Sequence, residues 1–276
     1  MLGVPDGFMR PAPLVVAHRG SSFTHPEHTL AAYVGALEDG ADGLECDVRL
    51  TRDGHLVCVH DRKVNRTSDG RGVVSEQSLA DLSALDFGSW RDDLPDSADE
   101  LVQPDEDETR SQVLTLERLL EVVLGAPRPV RLFVETKHPT RYGGLVEQQL
   151  VRLLRRFGLA EPVDRDASTV VVMSFAPAAI RRIRLLAPAV PTMLLLDRVA
   201  PFRRDGSLPA GVTWAGPGLH IVRAHPRYVD RVHAAGGRVY VWTVDDAADI
   251  EMVISLGVDA IATNRPLDVL RKLGRR

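Results

Sequence analysis

Cysteine is almost absent from this chain: Cys46 and Cys58 are the only two among 276 residues. No histidine stands in register with a cysteine pair, so a zinc site of the usual spacing is excluded. An excess of positive charge is also lacking. The formal net charge of −4 gives no electrostatic case for a nucleic-acid partner, which would favour a basic face. No apolar run approaches the roughly 20 residues of a membrane span, and residues 1–13 contain no apolar signal-peptide core. A cytoplasmic location is therefore expected, and two buried thiols suit reducing conditions. No glycine-rich nucleotide fingerprint follows the first apolar run, which weakens a Rossmann-type reading.

What is present is an ordinary globular composition, 44% hydrophobic and 26% charged, at a length that suits one closed α/β barrel. The stretch Gly43-Leu-Glu45-Cys-Asp47-Val48 organises the rest. Alternate side chains of a strand face opposite ways, so Glu45 and Asp47 share a face with Gly43, while Leu44, Cys46 and Val48 share the other. Interior carboxylates are costly without a cation, which makes Glu45 and Asp47 candidate metal ligands. Thr51-Arg-Asp-Gly54 is a turn signal ahead of a third strand at 56–60. A hairpin centred on Asp53-Gly54 puts Asp47 opposite His60. A connection running back along a barrel instead ends both strands at the same rim. Either geometry brings His60 beside the carboxylates. With His60 on the interior face, Cys58 points in and Cys46 out, which argues against a disulfide between them.

Apolar strand candidates at 13–18, 42–48, 56–60, 130–135, 169–174, 192–196, 219–222, 238–242 and 258–262 alternate with amphipathic helices opening near Thr29, Thr115, Leu145, Pro177, Pro226, Ala247 and Pro266. Such alternation implies a parallel sheet. Eight or nine strands with polar residues at their C-terminal ends favour a (β/α)₈ TIM barrel, one domain over 1–276. Residues 62–112 break the pattern, being turn-rich at first, with a short helix near 78–85, and then acidic from 92 to 108. They read as a long loop insertion after the third strand, lying over the C-terminal rim.

The strand ends collect His18-Arg19, Glu45, Asp47, His60-Asp61, Glu135, Lys137, Ser174 and Trp242. In this fold the C-terminal rim carries catalysis. Glu45, Asp47 and Glu135 supply hard oxygen ligands suited to Mg²⁺ or Ca²⁺. Arg19 and Lys137 add fixed positive charge for an anion such as phosphate, and His18 and His60 can exchange protons near neutral pH. The combination points to metal-assisted cleavage of a phosphate ester. Ser174-Phe175 and His138 read as structural.

The ordered series His18-Arg19-Gly20, Pro26-Glu27-His28-Thr29, Glu45-Cys-Asp47-Val48, Thr51-Arg-Asp-Gly54, Val59-His60-Asp61, Glu135-Thr-Lys137 and Val241-Trp-Thr-Val244 resembles the motifs of the glycerophosphodiester phosphodiesterase family. The likeness skips only the acidic insertion. It implies a barrel of the phosphatidylinositol-phospholipase-C-like type, which hydrolyses glycerophosphodiesters to glycerol 3-phosphate and an alcohol using one divalent cation, Mg²⁺, Ca²⁺ or Mn²⁺. It also implies metal ligation by Glu45, Asp47 and Glu135 and acid/base catalysis by His18 and His60. Arg19 and Lys137 would hold the phosphate, with Glu27 supporting the site. Trp242, read from its place late in the chain, suits core packing and a wall against the glycerol moiety equally. The family usually has Asn where His28 stands and commonly Asp where Asn264 stands. Neither departure removes a ligand or an acid/base group. A lysophospholipase D-like preference for acylated substrates and a barrel that only binds phosphodiesters are the competing expectations.

Overall fold

The structure is a computed structural model that describes residues 11–91, 112–200 and 203–276. Among these, nine strands form one sheet: β1 (Leu14–His18), β2 (Gly43–Leu50), β3 (Leu56–Cys58), β4 (Arg131–Thr136), β5 (Val170–Ser174), β6 (Thr192–Leu196), β7 (Trp214–Pro217), β8 (Arg238–Val241) and β9 (Ala260–Thr263). The neighbour order β1-β9-β8-β7-β6-β5-β4-β2, with β1 also paired to β2, closes eight parallel strands into a barrel. β3 hangs antiparallel from β2. The helices are α1 (Leu30–Asp39), α2 (Leu79–Ser83), α3 (Leu116–Leu124), α4 (Leu145–Arg156), α5 (Pro177–Leu186), α6 (Leu219–Ala224), α7 (Tyr228–Ala234), α8 (Ala247–Ser255) and α9 (Pro266–Lys272). Their limits follow from local chemistry. Thr29 caps α1 by accepting from Ala32 N, and Gly40 ends it in the left-handed conformation. None of the described helices is long and apolar enough to cross a membrane.

Strand alternation sorts the core into two layers. Val16, Phe133, Met173, Met193, Trp214 and Tyr240 fill the barrel interior. Leu44, Cys46, Val48, Leu132 and Val134 pack outward against α3 and α4. Gly43, Glu45 and Asp47 therefore point inward, as the sequence pattern requires.

Three expectations change. Residues 219–222 belong to α6, and the strand of that region is Trp214–Pro217, short and lacking β-branched residues. The connection after β2 is a hairpin, but its ladder sets Val48 across from Cys58, so Asp47 lies opposite Val59 and His60 falls just past the strand. Cys58 consequently faces the same helix-packed layer as Cys46. Both thiols are free and buried, and burial pushes Cys46 well above the usual thiol range.

After β3 the chain makes tight helical turns at Val64–Arg66 and Val74–Glu76 before α2. Val64, Val74, Leu82 and Phe87 join Val57 and Val59 in a small apolar cluster of their own. The acidic stretch expected at 92–108 lies outside the described residues.

Candidate active site

The β1–β2–β4 side of the barrel places the chemistry. His18 is in register with Glu45, and Asp47 with Glu135. Glu45, Asp47 and Glu135 are buried, and each offers an oxygen within 4.8 Å of the others. Lys137 Nζ stands 3.2 Å from Asp47 Oδ1 and 2.9 Å from Glu135 Oε1. Arg19 Nε is 3.2 Å from Asp47 Oδ2, and the Arg19 backbone N–H donates to Glu45 Oε2 at 3.0 Å. That N–H reaches the carboxylate because Arg19 is left-handed, at φ 61°. Such a conformation is uncommon outside glycine and recurs at functional sites.

Charge is unevenly compensated. Burial, then the nearby Asp47 charge, pushes Glu45 well above the usual carboxylate range and raises Glu135 to about 8. Asp47 moves the other way. Burial opposes its charge, but the His28 hydrogen bond and the Lys137 and Arg19 cations outweigh burial and hold it well below its ordinary value. Three converging carboxylates that Lys137 and Arg19 compensate only in part form an oxygen donor set that fits a hard divalent cation.

His18 and His60 each have one ring nitrogen engaged by a neighbouring side chain. His18 Nδ1 lies 2.8 Å from Asn264 Oδ1, and His60 Nδ1 lies 2.7 Å from Asp61 Oδ1. Burial, then the Arg19 charge, pulls His18 down to about 4. His60 is lowered as well, by burial, with Asp47 acting against it. Arg49 fixes the His60 backbone by donating Nε and Nη2 to its carbonyl.

Glu27 supports Arg19, accepting from Nη1 at 3.0 Å. Trp242 is half-buried at the mouth, donates Nε1–H to Gly216 O, and meets the Phe175 ring edge-on at 5.3 Å. Ser174 Oγ–H donates to Thr136 O, a structural contact. His28 Nε2 is 3.0 Å from Asp47 Oδ2 and Nδ1 is 2.8 Å from Tyr33 Oη, whose own proton goes to Glu45 O.

Sequence reasoning misses Arg66, which pairs with both Glu27 and Asp61. It lies in a turn-rich stretch where no spacing marks it. Asp245, beneath Asn264, is missed too, although it directly follows the Val241–Val244 motif.

The sequence pattern of the Glycerophosphoryl diester phosphodiesterase family matches residues 18–268. A Mycobacterium tuberculosis protein named as a probable glycerophosphodiester phosphodiesterase is 50% identical over 254 residues, covering 92% of this chain and 90% of its own. A Bacillus subtilis glycerophosphodiester phosphodiesterase is 30% identical over 262 residues, covering 94% of this chain and 86% of its own. Among solved structures, an Oleispira antarctica phosphodiesterase in complex with the product sn-glycerol-3-phosphate superposes with a TM-score of 0.78 at 25% identity, covering 95% of this chain and 97% of its own.

Proposed function

The chain belongs to the glycerophosphoryl diester phosphodiesterase family, and from that premise we propose that it hydrolyses glycerophosphodiesters to glycerol 3-phosphate and an alcohol at the Glu45–Asp47–Glu135 cluster. The observation that carries this reading is the convergence of three buried carboxylates, two cations and two histidines on one side of the barrel mouth. The product bound by the Oleispira antarctica relative supports it.

Glu45, Asp47 and Glu135 would hold one divalent cation, Mg²⁺ or Ca²⁺, which when bound supplies Lewis acidity toward the phosphoryl oxygens. Arg19, steadied by Glu27, and Lys137 hold the phosphate and balance its charge. His18 is backed by a neutral amide, which suits a proton acceptor. His60 is backed by the Asp61 carboxylate, which stabilises an imidazolium and suits a donor.

His18 Nε2 takes the proton of the free glycerol hydroxyl beside the phosphoester, whose oxygen attacks phosphorus. As that P–O bond forms, the bond to the leaving alcohol breaks, and His60 gives its Nε2 proton to the departing oxygen. The cyclic phosphodiester is opened by water, which loses a proton to His60 while His18 returns its own to the glycerol oxygen. Both histidines end as they began.

The test is release of glycerol phosphate from glycerophosphocholine and glycerophosphoethanolamine, after chelation and with Mg²⁺, Ca²⁺ or Mn²⁺ restored. Cation-dependent turnover that His18→Ala destroys is expected. No turnover of either diester in the presence of all three cations would overturn the reading. Phe23 and Phe175, exposed on the loops after β1 and β5, favour a second reading in which the alcohol bears an acyl chain. Lysophospholipid turnover exceeding that of both head-group diesters would select it.

A further inference from the structure

Asp245 has no part in the chemistry above, yet its contacts reach it. It follows β8 and accepts three hydrogen bonds: from Asn264 N–H at 2.8 Å and Thr263 Oγ–H at 2.9 Å on Oδ1, and from Asn264 Nδ2–H at 2.7 Å on Oδ2. A carboxylate accepts and cannot donate. The Asn264 amide must therefore turn its NH₂ to Asp245, since the flipped amide would press its oxygen against Oδ2 at the same short range. Its other end, Oδ1, then faces His18 Nδ1 at 2.8 Å and Ser22 Oγ at 2.7 Å. An amide oxygen also only accepts, so Nδ1 carries the ring proton. The neutral ring is left with its lone pair on Nε2.

We propose that Asp245 is a positioning residue that acts through Asn264 to fix His18 as the Nδ1–H tautomer, leaving Nε2 as the proton acceptor. The inference rests on the role of His18 given under the proposed function. An imidazole–amide–carboxylate relay orients the ring as a directly bonded carboxylate would, but it keeps the negative charge off the imidazole. The ring is thereby aligned without being held as an imidazolium. Its burial and the Arg19 charge work in the same direction.

Asp245→Asn inverts the relay. The backbone N–H of Asn264 still requires an acceptor, so the new amide gives it oxygen and turns NH₂ to the Asn264 side chain. Asn264 must then flip, present its NH₂ to His18 Nδ1, and force the ring proton onto Nε2. The double variant D245N/N264D restores an acceptor toward both neighbours and with it the Nδ1–H tautomer.

The test is ¹⁵N NMR of the histidine rings in the Mg²⁺-loaded full chain at neutral pH, with His18→Gln assigning the signal. The wild-type ring is expected as Nδ1–H. Asp245→Asn should show Nε2–H, with kcat lower by about 10²–10⁴-fold, the scale of a lost general base, and KM little changed. D245N/N264D should recover the tautomer and most of kcat. An Nε2–H signature in the wild type, or Asp245→Asn with unchanged tautomer and kcat, would overturn the proposal. If Asp245→Asn does not fold, the wild-type spectrum and the double variant still decide. The expected tautomers in a protein that hydrolyses no diester would sink the proposed reaction and leave the relay standing.

Discussion

Arg66 donates to both oxygens of Glu27, Nη1 to Oε2 and Nη2 to Oε1, each at 2.7 Å across a sequence separation of 39 residues. Its Nε also donates to Asp61 Oδ2 at 2.7 Å. One guanidinium thus joins the carboxylate that steadies Arg19 to the carboxylate that orients His60.

That junction predicts an acid sensitivity. Burial opposes ionisation of Glu27, but hydrogen bonds from Arg66 and the Arg19 charge win and hold it at about 2; hydrogen bonds from Arg66 hold Asp61 at about 2. Both values are depressed on folding, so the stabilisation is present above the ordinary 4.5 and 3.8 and is lost as pH falls toward 2. Arg66→Ala should move the acid-unfolding midpoint, followed by circular dichroism, to higher pH. A midpoint that stays put would mean the pairings contribute nothing to stability.

Glu135 predicts the opposite sign. Its value rises from 4.5 to about 8 on folding without a cation, so its favourable contribution is full below 4.5 and is lost as pH climbs toward 8. The melting temperature of chelated protein should decline over that interval. Adding Mg²⁺ or Ca²⁺ should remove the decline, and binding should release protons, measurable by calorimetry in buffers of different ionisation enthalpy. Proton-neutral binding would show Glu135 already ionised.

Asp47→Asn and His60→Ala should separate binding from catalysis. The first is expected to weaken cation affinity by about 10-fold or more. The second should abolish turnover while leaving folding and cation affinity nearly intact. Unchanged calorimetric affinity in the first would make Asp47 a structural residue, and wild-type turnover in the second would remove His60 from the reaction.

Gly20 is left-handed at φ 83°, and a Cβ there would come within 2.6 Å of the Ala32 backbone. Gly20→Ala should cost about 1–3 kcal/mol of stability through strain and overpacking, read as a lower urea midpoint. Because Gly20 adjoins His18 and Arg19, kcat should fall as well. A variant matching the wild type in both would show that the β1–α1 loop yields freely.

Much of this molecule is legible before folding because its determinants are local. The alternation in Gly43–Leu50 sends Glu45 and Asp47 inward whatever surrounds them, and Thr29 and Gly40 bracket α1, the first through its side-chain hydroxyl and the second through its left-handed backbone. β7 is different. In Trp214-Ala-Gly-Pro217 only the tryptophan favours a strand, and the segment is extended because β6 and β8 pair with it. That Cys46 and Cys58 share one layer depends on a ladder register that a shift of one residue reverses. Arg66 and Asp245 act on partners that only the closed barrel brings near, so no local pattern announces them.

Closure also sets when the protein can first work. His18 and Asn264 are 246 residues apart, yet they touch, because the first strand pairs with the last. During synthesis, which proceeds from the N-terminus, the three carboxylates and both histidines emerge long before the segment that orients His18. The ribosome must release the final strand before that ring has its partner. A nascent chain therefore carries the acidic cluster in an incomplete barrel, and competence arrives in one late step that joins the barrel's first strand to its last.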